Sequence, residues 1–553
     1  MIDARTVDTQ VIVVGAGPVG LVAAIELRRR GVDVLIIDKR ESVAPWAKAV
    51  GIQPRTLEIW DQVGMVEPVL SASLTMRGQV MYVNGERAGE LAFPVPEQVP
   101  YGFICLPQHA TEELLGAHLT SLGATVSRGV ELVDVAADDA GVTATLRDAD
   151  GDRRVSAEYL VSAEGAHSLV RKAMGLTFEG DAFPEEYMLA DVELDWSVPP
   201  GLSVRSSHVT DGVVDDVLVC IPLPGRGRYR VSMLVPDELS RAASVGANDG
   251  VTHGIQTEGP TPQLHHVQAV LDRLAPEPTT AGNMRWSSVF RISHRLVNRY
   301  QKGRVFLAGD TAHIHPPTGA QGMNTGIQDA YNLGWKLALA VRGAAAPGLL
   351  DSYHAERHPV GEEVVGRTVR AAREGIGAGD DLQTAVLRTA QLLVHYADSP
   401  IVAADREAPG TDSGPLPGER APDATGLRRS AVTGPIRFHE TLRHTGHTLL
   451  LWATSEPAWR EAMDVAEQLT GRLAGLLRAM VAVPAALADL AVFGTTLVDA
   501  DGNLSAAYGF GDGSPVPAAV LVRPDGYLSY RSSAVDVERL LAHLSATTLR
   551  IDA

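Results

Sequence analysis

The most constraining stretch lies near the start of the chain, where the apolar run Val11–Val14 leads directly into GAGPVG. A short, wholly apolar run is what a parallel strand covered on both faces requires. Gly15, Gly17 and Gly20, with Pro18 between them, have the G-x-G-x-x-G spacing. The stretch LVAAIELRRRG then predicts a helix stopped at Gly31, and VDVLIID predicts a second strand ending in Asp38. Glycines at this turn let a pyrophosphate approach the free N–H groups of a helix start, and a terminal carboxylate can accept hydrogen bonds from an adenosine ribose. A tight strand-to-helix turn explains the glycines alone; strand, glycines, helix, strand and acid together point to a dinucleotide site.

Composition narrows the remaining classes. A formal net charge of -19 with no basic stripe argues against nucleic-acid binding, which needs clustered Lys and Arg. Cys105 and Cys220 are the only cysteines, too few for a disulfide framework or a thiolate zinc site, and they fit a reducing cytoplasmic setting. From the polar N-terminus no signal peptide is expected, and from the short apolar runs no membrane span. With 553 residues, several structural units are expected.

Three further segments carry chemistry. PQHATEELL has a helix-start pattern, with Thr111 before Glu112 and Glu113 and with Gln108 at the helix mouth. YLVSAEGAHSLVRKAMG predicts a strand over 159–162, the pair Glu164-Gly165, and a helix bearing Ser168 and Arg171. FLAGDTAHIHPPTGAQGMNTGIQDAYNLGWKLA brings Asp310, two prolines and several glycines immediately before a helix expected from near Asn324 to Gly343. His313 and His315, two residues apart with no evident third ligand, read as scaffold histidines, and no metal is expected.

Taken in order, these motifs resemble the group A flavoprotein aromatic monooxygenases, the family of para-hydroxybenzoate hydroxylase, phenol hydroxylase, pentachlorophenol monooxygenase and the polyketide hydroxylases. The resemblance spans about residues 8–400. It implies FAD as cofactor, with Gly15, Gly17, Pro18, Gly20, Asp38 and Lys39 on the ADP half. Lys48 would lie near the pyrophosphate and the incoming nicotinamide, Gln108 on the flavin side, and Asp310 on the ribityl chain. The loop from Pro316 to Asn324, including Pro317, Gly319, Gly322 and Met323, would line the isoalloxazine. One departure is Glu164, where the family has Asp before glycine.

The resemblance also implies NADPH or NADH as a transient co-substrate, since no second dinucleotide fingerprint follows, and O2 consumption through a flavin C4a-hydroperoxide that hydroxylates a phenolic or polyketide-type ring. Baeyer–Villiger oxygenation and a non-oxygenating flavin-binding protein are the alternatives. Val50 stands where phenol hydroxylase has an acid, so no catalytic base is assigned. Trp286, Phe290, Arg291, Tyr101, Phe103 and Pro316 are substrate-pocket candidates, although aromatic residues on such strands are core more often than not.

The expected fold is α/β: a Rossmann-like FAD-binding domain formed by 1–177 and 291–400, with 70–105 partly serving the substrate region, and an interleaved β-sheet substrate domain over 178–290. A Pro/Gly/Asp-rich linker is expected over 401–423. Residues 424–553 resemble the thioredoxin-like domain of larger relatives, without redox cysteines. A monomer or homodimer with a small aromatic substrate and no membrane partner completes the expectation.

Overall fold

The structure, a computed structural model, describes residues 7–44, 48–240, 251, 254–256, 261–374, 381–402, 414–511 and 516–551. It is mixed α/β, and three large sheets are seen among these residues. The first holds the strands Thr9–Val14, Val34–Asp38, Gly151–Ser162 and Val305–Leu307, all parallel to their neighbours in this group. Val11–Val14, Ile36, Ile37, Leu160, Val161 and Val305–Leu307 form its apolar, buried centre, and the helices Pro18–Arg28 and Gly322–Val341 pack over it and against each other. The strand expected over 159–162 is the end of a longer one, Gly151–Ser162, which also pairs antiparallel with Val142–Asp148.

The second sheet is a broad wall. Two 17-residue strands, Phe178–Leu194 and Ala281–Val297, pair antiparallel along most of their length, with Tyr187 opposite Phe290 and Asp191 opposite Trp286. Beside them lie Arg228–Leu234, Val213–Pro222 and Leu202–Thr210, and then Gly78–Val83 and Glu86–Ala92, which the chain contributes from far upstream. Ala281–Val297 runs unbroken across the expected boundary at 290/291, because its long partner strand holds its hydrogen bonds on both sides of that point. Strand alternation gives the wall two faces. Met188, Ala190, Val192, Leu218, Val231 and Met233 pack on the helix Leu264–Leu274; the alternate residues face the first sheet.

The third sheet comprises Leu427–Arg429, Thr496–Asp499, Leu477–Pro484, His447–Trp452, Ala518–Val522 and Leu528–Ser532 in spatial order. Its three central members are mutually parallel, and the last two run antiparallel. Helices Glu456–Arg472 and Val537–Thr547 cover one face. Within the expected 401–423 linker, residues 403–413 lie outside the described residues; those from 414 onward are packed, with Gly418 N–H donating to Leu528 at 2.7 Å and Arg420 paired with Glu58 at 3.1 Å. Among the described residues no helix is long and apolar enough to cross a membrane.

A joined cavity and its polar groups

Gly15 occupies φ +96°, and a Cβ there would stand 2.4 Å from the Ala163 carbonyl oxygen. A Cβ on Gly20 would stand 1.9 Å from the Gly15 oxygen, so only glycine closes this turn. Gly17 differs: nothing lies within 4 Å of its added Cβ, and it begins a helix with Pro18 in the first turn and no side-chain cap. Gly15 and Gly20 therefore close the turn, while Gly17 leaves a helix N-terminus bare toward open space that Gly15 also borders, the arrangement that receives an anion.

That space is part of a cavity of about 1580 Å³ between the first and second sheets. Sites for one small ligand occupy roughly 300–1,000 Å³, so two ligands fit here. Lys39, Lys48, Gln108 and Asp310 line it, as do Pro316, Pro317, Gly319, Gly322 and Met323. Phe103 and Phe290 line it too. Lys48 and Asp310 approach to 3.7 Å, linking the two ends of the sequence pattern.

Asp38 closes the strand beside the glycine turn, with its Oδ2 accepting from the Ala16 N–H at 2.9 Å and its Oδ1 from the Arg40 N–H at 2.9 Å. Burial would raise its pKa, but the Arg40 side chain and these two amides hold the carboxyl below the usual range. Arg40 was missing from the sequence reading; its place two residues beyond Asp38 was the available signal. Gln108 ties the helix Gln108–Ser121 to the early loop, its Oε1 accepting from the Ala49 N–H at 3.2 Å and its Nε2 donating to Glu112 at 2.8 Å. Thr111 lies inside that helix and is not its cap.

Two proposed contacts serve the scaffold, and three others lie off the cavity wall. Gly20 is the packing glycine already described. Asn324, fully buried, donates from Nδ2 to Gly51 and Ala320 carbonyls at 3.0 and 2.7 Å. Its Oδ1 accepts from Gln53 N–H at 3.0 Å and Thr56 Oγ at 2.7 Å, which saturates the amide. Tyr101 is not on the cavity wall: it hydrogen-bonds Asp61, which with burial raises its pKa. Arg291 pairs with Glu186 at 2.6 Å, and Trp286 donates to Asp191 at 2.8 Å; neither lines the cavity.

Glu164 accepts at Oε2 from Ser162, Ser168 and the Val170 N–H and at Oε1 from the Leu169 N–H, so it caps the helix Leu169–Ala173. The neighbouring Arg171 donates to the Thr311 carbonyl at 3.1 Å, and Gly165 N–H to Thr311 Oγ at 3.1 Å. This middle motif thus braces the Asp310 turn. His313 bonds Asp329 at 2.8 Å, and His315 bonds the Pro316 oxygen at 2.9 Å. Burial, with His313 adding to it, lowers the His315 pKa to about 4, so the ring is neutral at pH 7.

Among the described residues, Glu238, His265 and His266 come close enough to suggest a cation. His266 Nδ1 accepts from the Gln263 N–H at 2.8 Å, so Nε2 carries the proton and donates to Glu238 at 2.9 Å. The group is a helix cap.

A bare helix start, an acid-ended second strand and a cavity with room beyond the nucleotide all fit a flavin dinucleotide. Comparison with known proteins decides the matter: residues 8–368 match the family described as the FAD binding domain. The chain belongs to this family of FAD-dependent monooxygenases. The monooxygenase is 32% identical to 6-methylpretetramide 4-monooxygenase of Streptomyces rimosus over 98% of its length and 94% of that protein. It is 41% identical to rifampicin monooxygenase of Streptomyces venezuelae, over 65% of this chain and 70% of the other. A solved ternary complex of aklavinone-11 hydroxylase with FAD and aklavinone superposes with a TM-score of 0.76 at 26% identity, covering 98% of this chain and 99% of that one.

Proposed function

We propose that the protein hydroxylates a polycyclic, phenolic or polyketide-type aromatic, consuming NADPH or NADH and O2. The carrying observation is that the glycine turn and the apolar face of the wall border one cavity. The relatives named for polycyclic substrates support the same class. FAD, when bound, supplies the two-electron chemistry that joins the nicotinamide, O2 and the ring.

The chain's own residues hold and shield. Gly15, Gly17 and the Pro18 helix start receive the pyrophosphate; Asp38 takes the ribose, with Arg40 setting its orientation. Lys39 and Lys48 add positive charge beside the phosphates, Asp310 takes the ribityl hydroxyls, and Gln108 fixes the backbone just after Lys48. Amides of the Gly319–Met323 turn face the ring, at the start of the Gly322–Val341 helix, whose dipole favours negative charge there. Asn324, Gln53 and Glu164 hold these loops in place. Phe103, Phe290 and Pro316 exclude water from the reacting face. We infer further that residues 424–553 form a thioredoxin-like domain of structural role, supported by its parallel central strands and by both cysteines lying elsewhere. A cytoplasmic monomer or homodimer is the proposed state.

The test is NADPH and NADH oxidation by the FAD-loaded protein with a panel of hydroxylated polycyclic aromatics, with product mass. Accelerated oxidation and a ring gaining one oxygen atom support the reading. A ketone converted to an ester or lactone assigns Baeyer–Villiger chemistry instead, and a flavin that no aromatic causes to be reduced overturns both.

A further inference from the structure

The wall of the cavity carries charge that the flavin chemistry leaves unused. On that face Leu189, Val217, Val219, Ile221 and Leu234 present hydrocarbon, yet Arg230 and Arg205 stand among them. Arg230 is 3% exposed. Its Nε and Nη2 fork onto Asp191 at 2.5 and 3.2 Å, and its guanidinium lies 4.7 Å from the Trp286 ring, whose Nε1 also donates to Asp191. The fork cannot swing without breaking a buried ion pair. Nη1 makes no hydrogen bond among the described residues and is not one of the buried nitrogens left without a partner, so this corner of the guanidinium opens onto the cavity. Arg230 lies at the Phe103–Cys105 end: burial pushes the Cys105 thiol up to about 12 while Arg230 pulls the other way.

Arg205 makes no ion pair or hydrogen bond among the described residues. Register places it opposite Val219, which is opposite Ser232, two residues from Arg230. With strands ~4.8 Å apart and ~6.7 Å per same-face step, the two Cα atoms are ~12 Å apart. Tyr187 lines the same cavity, its pKa raised by burial and by Glu185 on the same strand and pulled down by Arg205.

We propose that Arg230 and Arg205 form a two-point subsite for acidic oxygens, carboxylate or ionised phenol, on the edge of a polycyclic arene. Arg230 is the fixed anchor, and Arg205 with Tyr187 the outer contact. Hydrocarbon between them takes the ring faces, so the subsite selects apolar arenes with charge confined to an edge. This deepens the reading of the cavity as a substrate site and rests on it.

The test is equilibrium binding to the FAD-loaded enzyme, read from flavin absorbance, of anthraquinone-2-carboxylate against its methyl ester. Wild type is expected to hold the carboxylate at least tenfold tighter. Arg230→Met should erase that preference while leaving ester affinity within about twofold, and Arg205→Met should reduce it about threefold. Arg230→Met strands Asp191, so Arg230→Met with Asp191→Asn is measured beside it, and flavin content reports folding. The subsite is overturned if wild type holds the ester as tightly as the acid or holds neither, or if both flavin-replete Arg230 variants keep the preference. Turnover is not needed, so carboxylate selectivity without oxygenation of any aromatic would refute the hydroxylase reading and leave the subsite standing.

Discussion

Two buried charge clusters in this molecule use the same residue types to opposite ends. At the junction of the third sheet with the Gly322–Val341 helix, Glu356 accepts from Lys336 at 2.7 Å, Arg523 at 2.6 and 2.9 Å, Asn332 at 2.7 Å and Ser399 at 2.6 Å. Arg523 turns its remaining donors onto Asp525. Every guanidinium nitrogen there has a carboxylate, and the two cations and two anions balance. In the cavity Arg230 is paired on one edge and open on the other. In this pair, saturation of donors, more than burial, separates the charge that holds the fold from the one proposed to meet a ligand.

The strongest way to break this contrast is Glu356→Gln, which leaves Lys336 and Arg523 without their shared anion in a dry site. A loss of about 3–5 kcal/mol in stability is expected, seen as a large fall in calorimetric Tm. A change within error would show the junction to be wet. On the cavity side, Asp310→Ala should weaken FAD binding about tenfold, by loss of hydrogen bonds to the cofactor, with the apoprotein Tm nearly unchanged; an FAD titration followed by fluorescence checks it. The two variants should thus exchange readouts, one moving stability and the other affinity.

A pH series sharpens the same contrast. Burial lowers the pKa of His315 to about 4, of His444 to about 4 and of His447 to about 3, against 6.5 when unfolded. Between those values the unfolded chain binds more protons, so stability is full above pH 6.5 and falls as pH drops toward 4. Glu356, held low by Arg523 and Lys336 against burial, extends the loss below 4.5. Thermal melts from pH 8 to 4 should therefore decline steadily below 6.5, and a flat profile would contradict the burial of these rings. Smallest of all, Glu164→Asp should cost about 1 kcal/mol through a weakened helix cap, with FAD affinity barely altered. A tenfold loss of FAD affinity would make Glu164 a cofactor contact.

The glycine turn, Asp38 and the Asp310 loop were legible in the sequence because each is local: spacing alone states what the backbone must do. What was missed depends on register. Asp191 and Arg230 face one another only because two antiparallel strands align Asp191 with that arginine, and no spacing within either strand announces it. Trp286 read as pocket or core, and its partner Asp191, 95 residues away, decides that its indole clamps an ion pair. Asn324 resembled a ring contact because it follows the glycines, but its bonds to Gln53 and Thr56 span 271 and 268 residues. Similarly, the sheet's two upstream strands join it through pairing with Leu202–Thr210.

The Asn324 clasp has a consequence for how the protein matures. Nothing made by the first half of the chain can complete the cavity, since the amide that pins Gly51 and Gln53 is supplied from the far side of the second sheet. The long loop between them must close first, at an entropic cost that grows only slowly with its length. Yellow colour in a preparation is then a certificate of finished tertiary assembly, and flavin uptake during refolding should trail the appearance of secondary structure.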